Sequence, residues 1–223
     1  MKNILVLGDS HATIFNFIKK KKYKTLNFNV VISWGATAQG LVNPNSKTNA
    51  LVKFKNELEG TNKKYDFIII MIGEVDCGYL IWYRAKKYNI SVEEQTNNSV
   101  NNLFNFIKTV LFNIGYHPNQ IIVLGSILPT IKDNTDKLFL KGARSEIDID
   151  QQTRTKLTLT YNDLLKEKCL KLNLHYADIT KETINETGLI DNKFIRKDKH
   201  NHHLSNEFTF KLWINCLEKI VFD

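Results

Sequence analysis

Cysteine is scarce in this sequence, and no run of apolar residues is long. The three cysteines, Cys77, Cys169 and Cys216, lie far apart and show no Cys-x-x-Cys spacing. An odd, scattered set of this kind predicts reduced thiols and a cytoplasmic protein, not a disulfide-linked secreted domain. The first apolar run covers only residues 4–7, and no stretch approaches the roughly 20 apolar residues of a membrane span. We therefore expect neither a secretory leader nor a membrane-spanning helix.

The ten glycines do not form the glycine-rich signatures of two other enzyme classes. None of them belongs to a Gly-x-Gly-x-x-Gly pattern, so a dinucleotide site is not expected. Residues 8–12 read Gly-Asp-Ser-His-Ala and lack the second glycine of the Gly-x-Ser-x-Gly turn. This absence argues against the α/β-hydrolase family proper.

Acidic residues are fewer than basic ones, 23 against 31, which gives a formal net charge of +8. Much of the excess is local, because residues 19–22 are four consecutive lysines and Lys24 follows. Lysines stabilise the C-terminal end of a helix, where the first helix is expected to finish. No aromatic or glycine-interleaved basic motif accompanies them. A solvated helix end is therefore favoured over a patch for an anionic partner, and no nucleic-acid partner is expected.

Apolar segments alternate with segments of helical periodicity along the whole chain. The predicted strands are residues 3–8, 27–33, 65–72, 120–127 and 174–179. The predicted helices are residues 11–20, 47–59, 94–114, 151–172 and 204–220. This alternation predicts one α/β domain, residues 1–223, with a parallel five-stranded sheet between two helical layers. Residues 130–149 are a long polar connection, a kind that is often functional.

Candidate catalytic residues follow the strands of this predicted sheet. Ser10 and Gly35 come after the first two strands, and a segment rich in histidine, residues 198–203, comes after the fifth. Because parallel strands end at one edge of the sheet, these groups are expected around one crevice. A serine beside imidazoles suggests a nucleophile and its base. Two alternatives are a plain strand-to-helix turn capped by Asp9 or Ser10, and a metal site of Asp198, His200, His202 and His203.

The sequence resembles the SGNH/GDSL hydrolase family in four blocks that occur in the family's order. The blocks are residues 8–10 (Gly-Asp-Ser), residues 33–37 (Ser-Trp-Gly-Ala-Thr), residues 73–76 (Gly-Glu-Val-Asp) and the pair His203-Leu204. The resemblance implies a three-layer α/β/α fold with a flavodoxin-like sheet. It also implies Ser10 as nucleophile and the N–H groups of Ser10 and Gly35 as oxyanion donors. The third block is similar to that of members associated with surface-polysaccharide modification.

The chain departs from the family pattern at two positions. Val75 stands where the family has an asparagine that donates to the oxyanion, and valine has no such donor. Asp198 lies five residues before His203, where the family has a spacing of three. Asp198 orients His203 if the loop bulges; otherwise it pairs with His202, or a backbone carbonyl orients the base. His203 is favoured as the base because Leu204 anchors it, whereas His202 should face the other way.

These observations give the following expected site. Ser10, His203 and Asp198 are the catalytic residues, and Ser10 and Gly35 bind the oxyanion. Substrate contacts are expected from His11, Trp34, Glu74, Asp76 and His202, whereas Arg144 is expected at the exposed surface. No metal or other cofactor is expected.

The expected activity is a serine esterase that removes an acyl group, acetyl above all, from a carbohydrate or small ester. An O-acyltransferase with the same site that acetylates a polysaccharide sugar is an alternative. A non-catalytic binding protein on the same fold is another.

Overall fold

The five predicted strands pair in parallel in one sheet, in the order β2-β1-β3-β4-β5. The computed structural model describes residues 1–60, 64–136, 138, 140, 142–198 and 200–222. The strands are β1 (Lys2–Gly8), β2 (Leu26–Ile32), β3 (Phe67–Met71), β4 (Ile121–Leu124) and β5 (His175–Ala177). The order reverses direction between β1 and β3, and this switch point is where ligands bind in open α/β sheets.

Helices cover both faces of the sheet. They are α1 (Thr13–Lys20), α2 (Ala50–Gly60), α3 (Ile81–Tyr88), α4 (Val92–Phe106), α5 (Gln151–Lys171), α6 (Thr180–Thr183) and α7 (Asn206–Phe222). Side chains of α1 and α7 share one apolar core, and those of α2, α4 and α5 share the other. None of the described helices is long and apolar enough to cross a membrane.

The continuous apolar run in β1 reflects burial on both faces of the sheet. Leu5 and Leu7 belong to the core under α2, α4 and α5, while Ile4 and Val6 belong to the core under α1 and α7. All four side chains are fully buried. A central parallel strand covered by helices on both sides requires this composition.

The connection between β4 and α5, residues 125–150, runs past the carboxyl edge of the sheet. We call it the β4–α5 loop; residues 137, 139 and 141 lie outside its described part. Arg154 of α5 holds it by donating to the carbonyls of Ile131 (2.8 Å) and Ile149 (3.1 Å). Its described regular structure is one short 3₁₀ turn, Gly142–Glu146. Arg154 therefore ties two points of the loop to α5, and the predicted polar connection of residues 130–149 lies within this loop.

Candidate active site

Ser10 lies in a tight turn directly after β1. Asp9 caps this turn, because its Oδ1 accepts from the His11 N–H at 2.8 Å. Gly8 is required just before it, since a Cβ there would approach the Cβ of Ala12 to 2.5 Å. Asp9 is therefore the residue that caps this turn. The Ser10 side chain is not used as the cap and lies at the carboxyl edge of the sheet.

Ser10 lines a cavity of about 470 Å³ whose lining residues come from five separate connections, one after each strand. The other lining residues are Trp34, Gly35, Val75, Tyr79, Ile131, Leu140, Arg144, Asp198, His200, Asn201, His202 and His203. The predicted residues Ser10, Gly35, Trp34, His202, His203 and Asp198 are thus brought to one cavity. His11, Glu74 and Asp76 are not among its lining residues.

Asp76 positions the loop that carries Gly35. Its Oδ2 accepts from the Ala38 N–H at 3.0 Å, and its Oδ1 accepts from the Ser99 hydroxyl at 2.9 Å. Burial raises the pKa of Asp76 to about 6, although these hydrogen bonds oppose the rise. Gly35 itself has a φ of +68°, a backbone conformation that favours glycine. Both oxygens of the Asp76 carboxyl thus contact the protein, and its expected substrate contact stays a prediction.

Glu74 is the centre of a buried ion network. Its carboxylate accepts three hydrogen bonds from Arg144, at 2.9 to 3.1 Å, and lies 3.1 Å from His11 Nε2. Burial alone would raise the pKa of Glu74, but Arg144 and His11 hold it well below its usual range. Burial would lower the pKa of His11, but Asp9 and Glu74 raise it. His11 and Glu74 thus bond to each other within the protein, and their expected substrate contacts stay predictions.

Arg144 was expected at the exposed surface, yet its side chain is 11% exposed. It belongs to the β4–α5 loop, and it reaches Glu74 from 70 residues away along the chain. Arg144 is buried because the buried carboxylate of Glu74 requires a cation beside it. Arg144 also lines the cavity, so it joins the β4–α5 loop to the site.

The imidazole of His203 is held at one nitrogen and unbonded at the other. Nδ1 lies 2.9 Å from Asn201 Oδ1, and the His203 N–H donates to the same oxygen at 3.0 Å. Nδ1 therefore donates, which leaves a lone pair on Nε2. Nε2 is buried and has no hydrogen-bond partner among the described residues. Burial lowers the pKa of His203 to about 3, and the nearby His11 and His202 add to the effect.

Asn201 occupies the position predicted for Asp198. Asp198 instead accepts from the His200 N–H at 3.0 Å, and its side chain is 62% exposed. The Asn201 N–H donates to the Asp198 carbonyl at 3.1 Å, and the side chain that contacts His203 Nδ1 is that of Asn201. Asparagine side chains commonly accept from the backbone N–H two residues later in the chain, and Asn201 lies two residues before His203. This spacing is the feature of the sequence that could have predicted the contact.

Three imidazole rings meet beside Ser10. The ring centroids of His202 and His203 are 4.2 Å apart, and His11 lies 4.5 Å from His203 and 5.3 Å from His202. The expectation that His202 faces away assumed an extended segment, and the segment turns instead. Burial lowers the pKa of His202 to about 4. The predicted metal alternative named Asp198 and His200, but the histidines that cluster are His11, His202 and His203.

Solved structures of other proteins have the same fold as this chain. No family model and no curated protein matches the chain. A GDSL-like lipase from Bacteroides thetaiotaomicron matches 99% of this chain and 87% of its own, with 11% identity and a TM-score of 0.61. The chain has the fold of the GDSL-like lipases.

Other structures of this fold are carboxylic ester hydrolases by description. A carbohydrate acetylesterase family member from Sinorhizobium meliloti is 12% identical, with a TM-score of 0.64 and complete coverage of both chains. A lipase/acylhydrolase from Enterococcus faecalis is 16% identical, with a TM-score of 0.59, over 98% of this chain and 94% of its own. The predicted three-layer α/β/α, flavodoxin-like fold is confirmed.

Proposed function

We propose that this protein is a serine esterase that removes an acyl group, acetyl above all, from a carbohydrate or small ester. One observation carries the proposal. Ser10, Gly35 and His203 line the same cavity at the carboxyl edge of the sheet. The GDSL-like and acetylesterase structures that share the fold support it.

The proposed nucleophile is Ser10 and the proposed base is His203. A neutral serine hydroxyl needs an imidazole nitrogen that can take its proton. His203 Nε2 has this lone pair, because Asn201 holds the proton of the ring on Nδ1. Ser10 Oγ forms no hydrogen bond to Nε2 in the structure, since Nε2 has no described partner. Catalytic hydrogen bonds of this kind often tighten only when substrate binds.

In the proposed reaction, Ser10 Oγ attacks the ester carbonyl while its proton passes to His203 Nε2. The C–O bond of the ester then breaks, and the alcohol leaves with that proton. Water attacks the acyl-enzyme in the same way and releases the acid and Ser10. The N–H groups of Ser10 and Gly35 are the proposed donors to the carbonyl oxygen during both steps.

Val75 explains why we expect a modest rate. Its side chain lines the cavity and is 4% exposed, but it cannot donate a hydrogen bond. Loss of one oxyanion donor typically costs about 2.7 to 4 kcal/mol of transition-state stabilisation. The site therefore relies on its backbone donors.

A carbohydrate is the favoured substrate class because aromatic side chains line the cavity. Trp34 is 66% exposed there, and an exposed large aromatic residue is a common recognition surface. Tyr79 adds a second aromatic residue to the lining. A volume of about 470 Å³ is within the range of small-molecule sites.

The test is hydrolysis of p-nitrophenyl acetate and of an acetylated oligosaccharide by wild type, Ser10→Ala and His203→Ala. We expect both variants to lose at least about a thousandfold in kcat/KM. His200→Ala is the matched control, because His200 lines the cavity but bonds to Asp198. Wild-type rates in Ser10→Ala would refute the proposal. Acetyl transfer to an added sugar at a higher rate than hydrolysis would instead identify an acyltransferase.

A further inference from the structure

Three imidazoles converge next to the proposed nucleophile, and this cluster has a chemistry of its own. His11, His202 and His203 each offer one ring nitrogen, and the three nitrogens lie within 4.8 Å of one another. His11 is buried, and the other two are partly buried. Imidazole nitrogens are the commonest protein ligands for metal ions.

Two of the three rings are held by a partner on one of their nitrogens. Glu74 accepts from or pairs with His11 Nε2 at 3.1 Å, and Asn201 Oδ1 accepts from His203 Nδ1 at 2.9 Å. In each ring this contact leaves one nitrogen for another ligand. Histidines that bind metal almost always have such a carboxylate or carbonyl partner, which fixes the tautomer and the ring orientation.

A second, independent observation points to the same ligand. His203 Nε2 is a buried acceptor without a hydrogen-bond partner among the described residues. A buried polar atom without a partner is destabilising. A metal ion bound between the rings would satisfy this lone pair.

We propose that His11, His202 and His203 form a site for a divalent transition-metal ion, with Zn²⁺ as the best fit. Three imidazoles with a fourth position open to water match the tetrahedral preference of zinc. At a Zn–N distance of about 2.1 Å the ligand nitrogens are about 3.4 Å apart. The nitrogens must therefore approach one another by up to about 1.4 Å when the metal binds.

This site has a consequence for the proposed esterase. A metal ion on His203 would occupy the lone pair that takes the proton of Ser10. Metal binding and ester hydrolysis would then exclude each other, and Zn²⁺ would act as a reversible inhibitor. The metal site itself does not depend on the esterase proposal, because Ser10 is not one of its ligands.

The test is a titration of chelator-treated protein with Zn²⁺ by calorimetry and with Co²⁺ by visible absorption. We expect one ion per chain and the ligand-field bands of tetrahedral Co²⁺. His203→Ala and His202→Ala should each weaken binding by more than about a hundredfold. Asn201→Ala should weaken it by about 10- to 100-fold, the usual effect of losing a partner of a ligand.

Two variants serve as controls. His200→Ala keeps all three rings, and Ser10→Ala removes the proposed nucleophile, so both should bind metal as wild type does. Binding that persists in His203→Ala and His202→Ala, or that is equally weak in His200→Ala, would overturn the metal site. Circular dichroism confirms that each variant folds.

Activity separates this proposal from the esterase proposal. We expect Zn²⁺ to suppress hydrolysis of p-nitrophenyl acetate by wild type and a chelator to restore it. Full hydrolysis at saturating Zn²⁺ would overturn the predicted inhibition. Loss of hydrolysis on chelation would overturn the Ser10–His203 mechanism while supporting the metal site.

Discussion

Arg144→Ala should destabilise the protein far more than loss of an ordinary surface ion pair. The side chains of Glu74 and Arg144 are 6% and 11% exposed, and three hydrogen bonds join them. Removing Arg144 leaves the Glu74 carboxylate buried, and among the described residues His11 is then the one basic side chain at hydrogen-bond distance. Breaking one partner of a buried pair typically costs about 3 to 5 kcal/mol, because the other charge stays desolvated.

The measurement is urea unfolding, with the free energy of unfolding obtained by linear extrapolation. Lys171→Ala is the matched control, since Lys171 pairs with Glu167 on α5 and both side chains are more than half exposed. We expect the control to cost less than about 0.5 kcal/mol. The double variant Glu74→Gln with Arg144→Met should recover part of the loss, because neither partner of the ion pair is then left buried and charged without the other.

Equal losses in Arg144→Ala and Lys171→Ala would refute this reasoning. So would a double variant that is as unstable as the sum of its two single variants, because the two side chains would then act independently. Such results would mean that Glu74 does not depend on Arg144 for its burial.

Three further predictions concern the rate and the pH dependence. Asn201→Ala should lower kcat for p-nitrophenyl acetate by about 10- to 100-fold, whereas Asp198→Asn should stay near wild type; the reverse ranking would return the orienting role to Asp198. Val75→Asn should raise kcat by up to about 100-fold by adding an oxyanion donor, and an unchanged kcat would show that the backbone donors suffice. Burial raises the pKa of Asp76 from its ordinary 3.8 to about 6, so folded protein holds this proton more tightly and loses stability as pH rises through that window. Relative to wild type, Asp76→Asn should therefore gain about 3 kcal/mol in urea unfolding between about pH 3 and about pH 7, and a constant difference would contradict the raised pKa.

The fold could be predicted because a strand that is buried on both faces of a sheet has apolar residues at consecutive positions. Residues 4–7 are all apolar, and each lies in one of the two cores. Parallel pairing then brings the ends of the strands to one edge, so Ser10 and Gly35 were predictable as cavity residues from their positions alone. Neither inference required knowledge of contacts between distant residues.

The partners of the site residues could not be predicted in this way. Arg144 and Glu74 are 70 residues apart, and Arg144 lies in a loop without periodicity, so no local pattern pairs them. The contact of His203 with Asn201 in place of Asp198 depends on the local hydrogen bonds of this loop, in which the Asn201 N–H donates to the Asp198 carbonyl. Tertiary approach and turn geometry decide these contacts, and spacing along the chain does not.

The third sequence block, residues 73–76, has a structural role in holding the segments around the cavity. Val75 lines the cavity, while its two acidic neighbours are directed into the protein. Glu74 binds His11 of the first turn and Arg144 of the β4–α5 loop, and Asp76 holds the loop that carries Gly35. The block therefore holds three segments around the cavity: the turn after β1, the loop that carries Gly35 and the β4–α5 loop. Since backbone donors stabilise an oxyanion only when they are held in place, the proposed donors Ser10 and Gly35 depend on these two carboxyl groups for their positions.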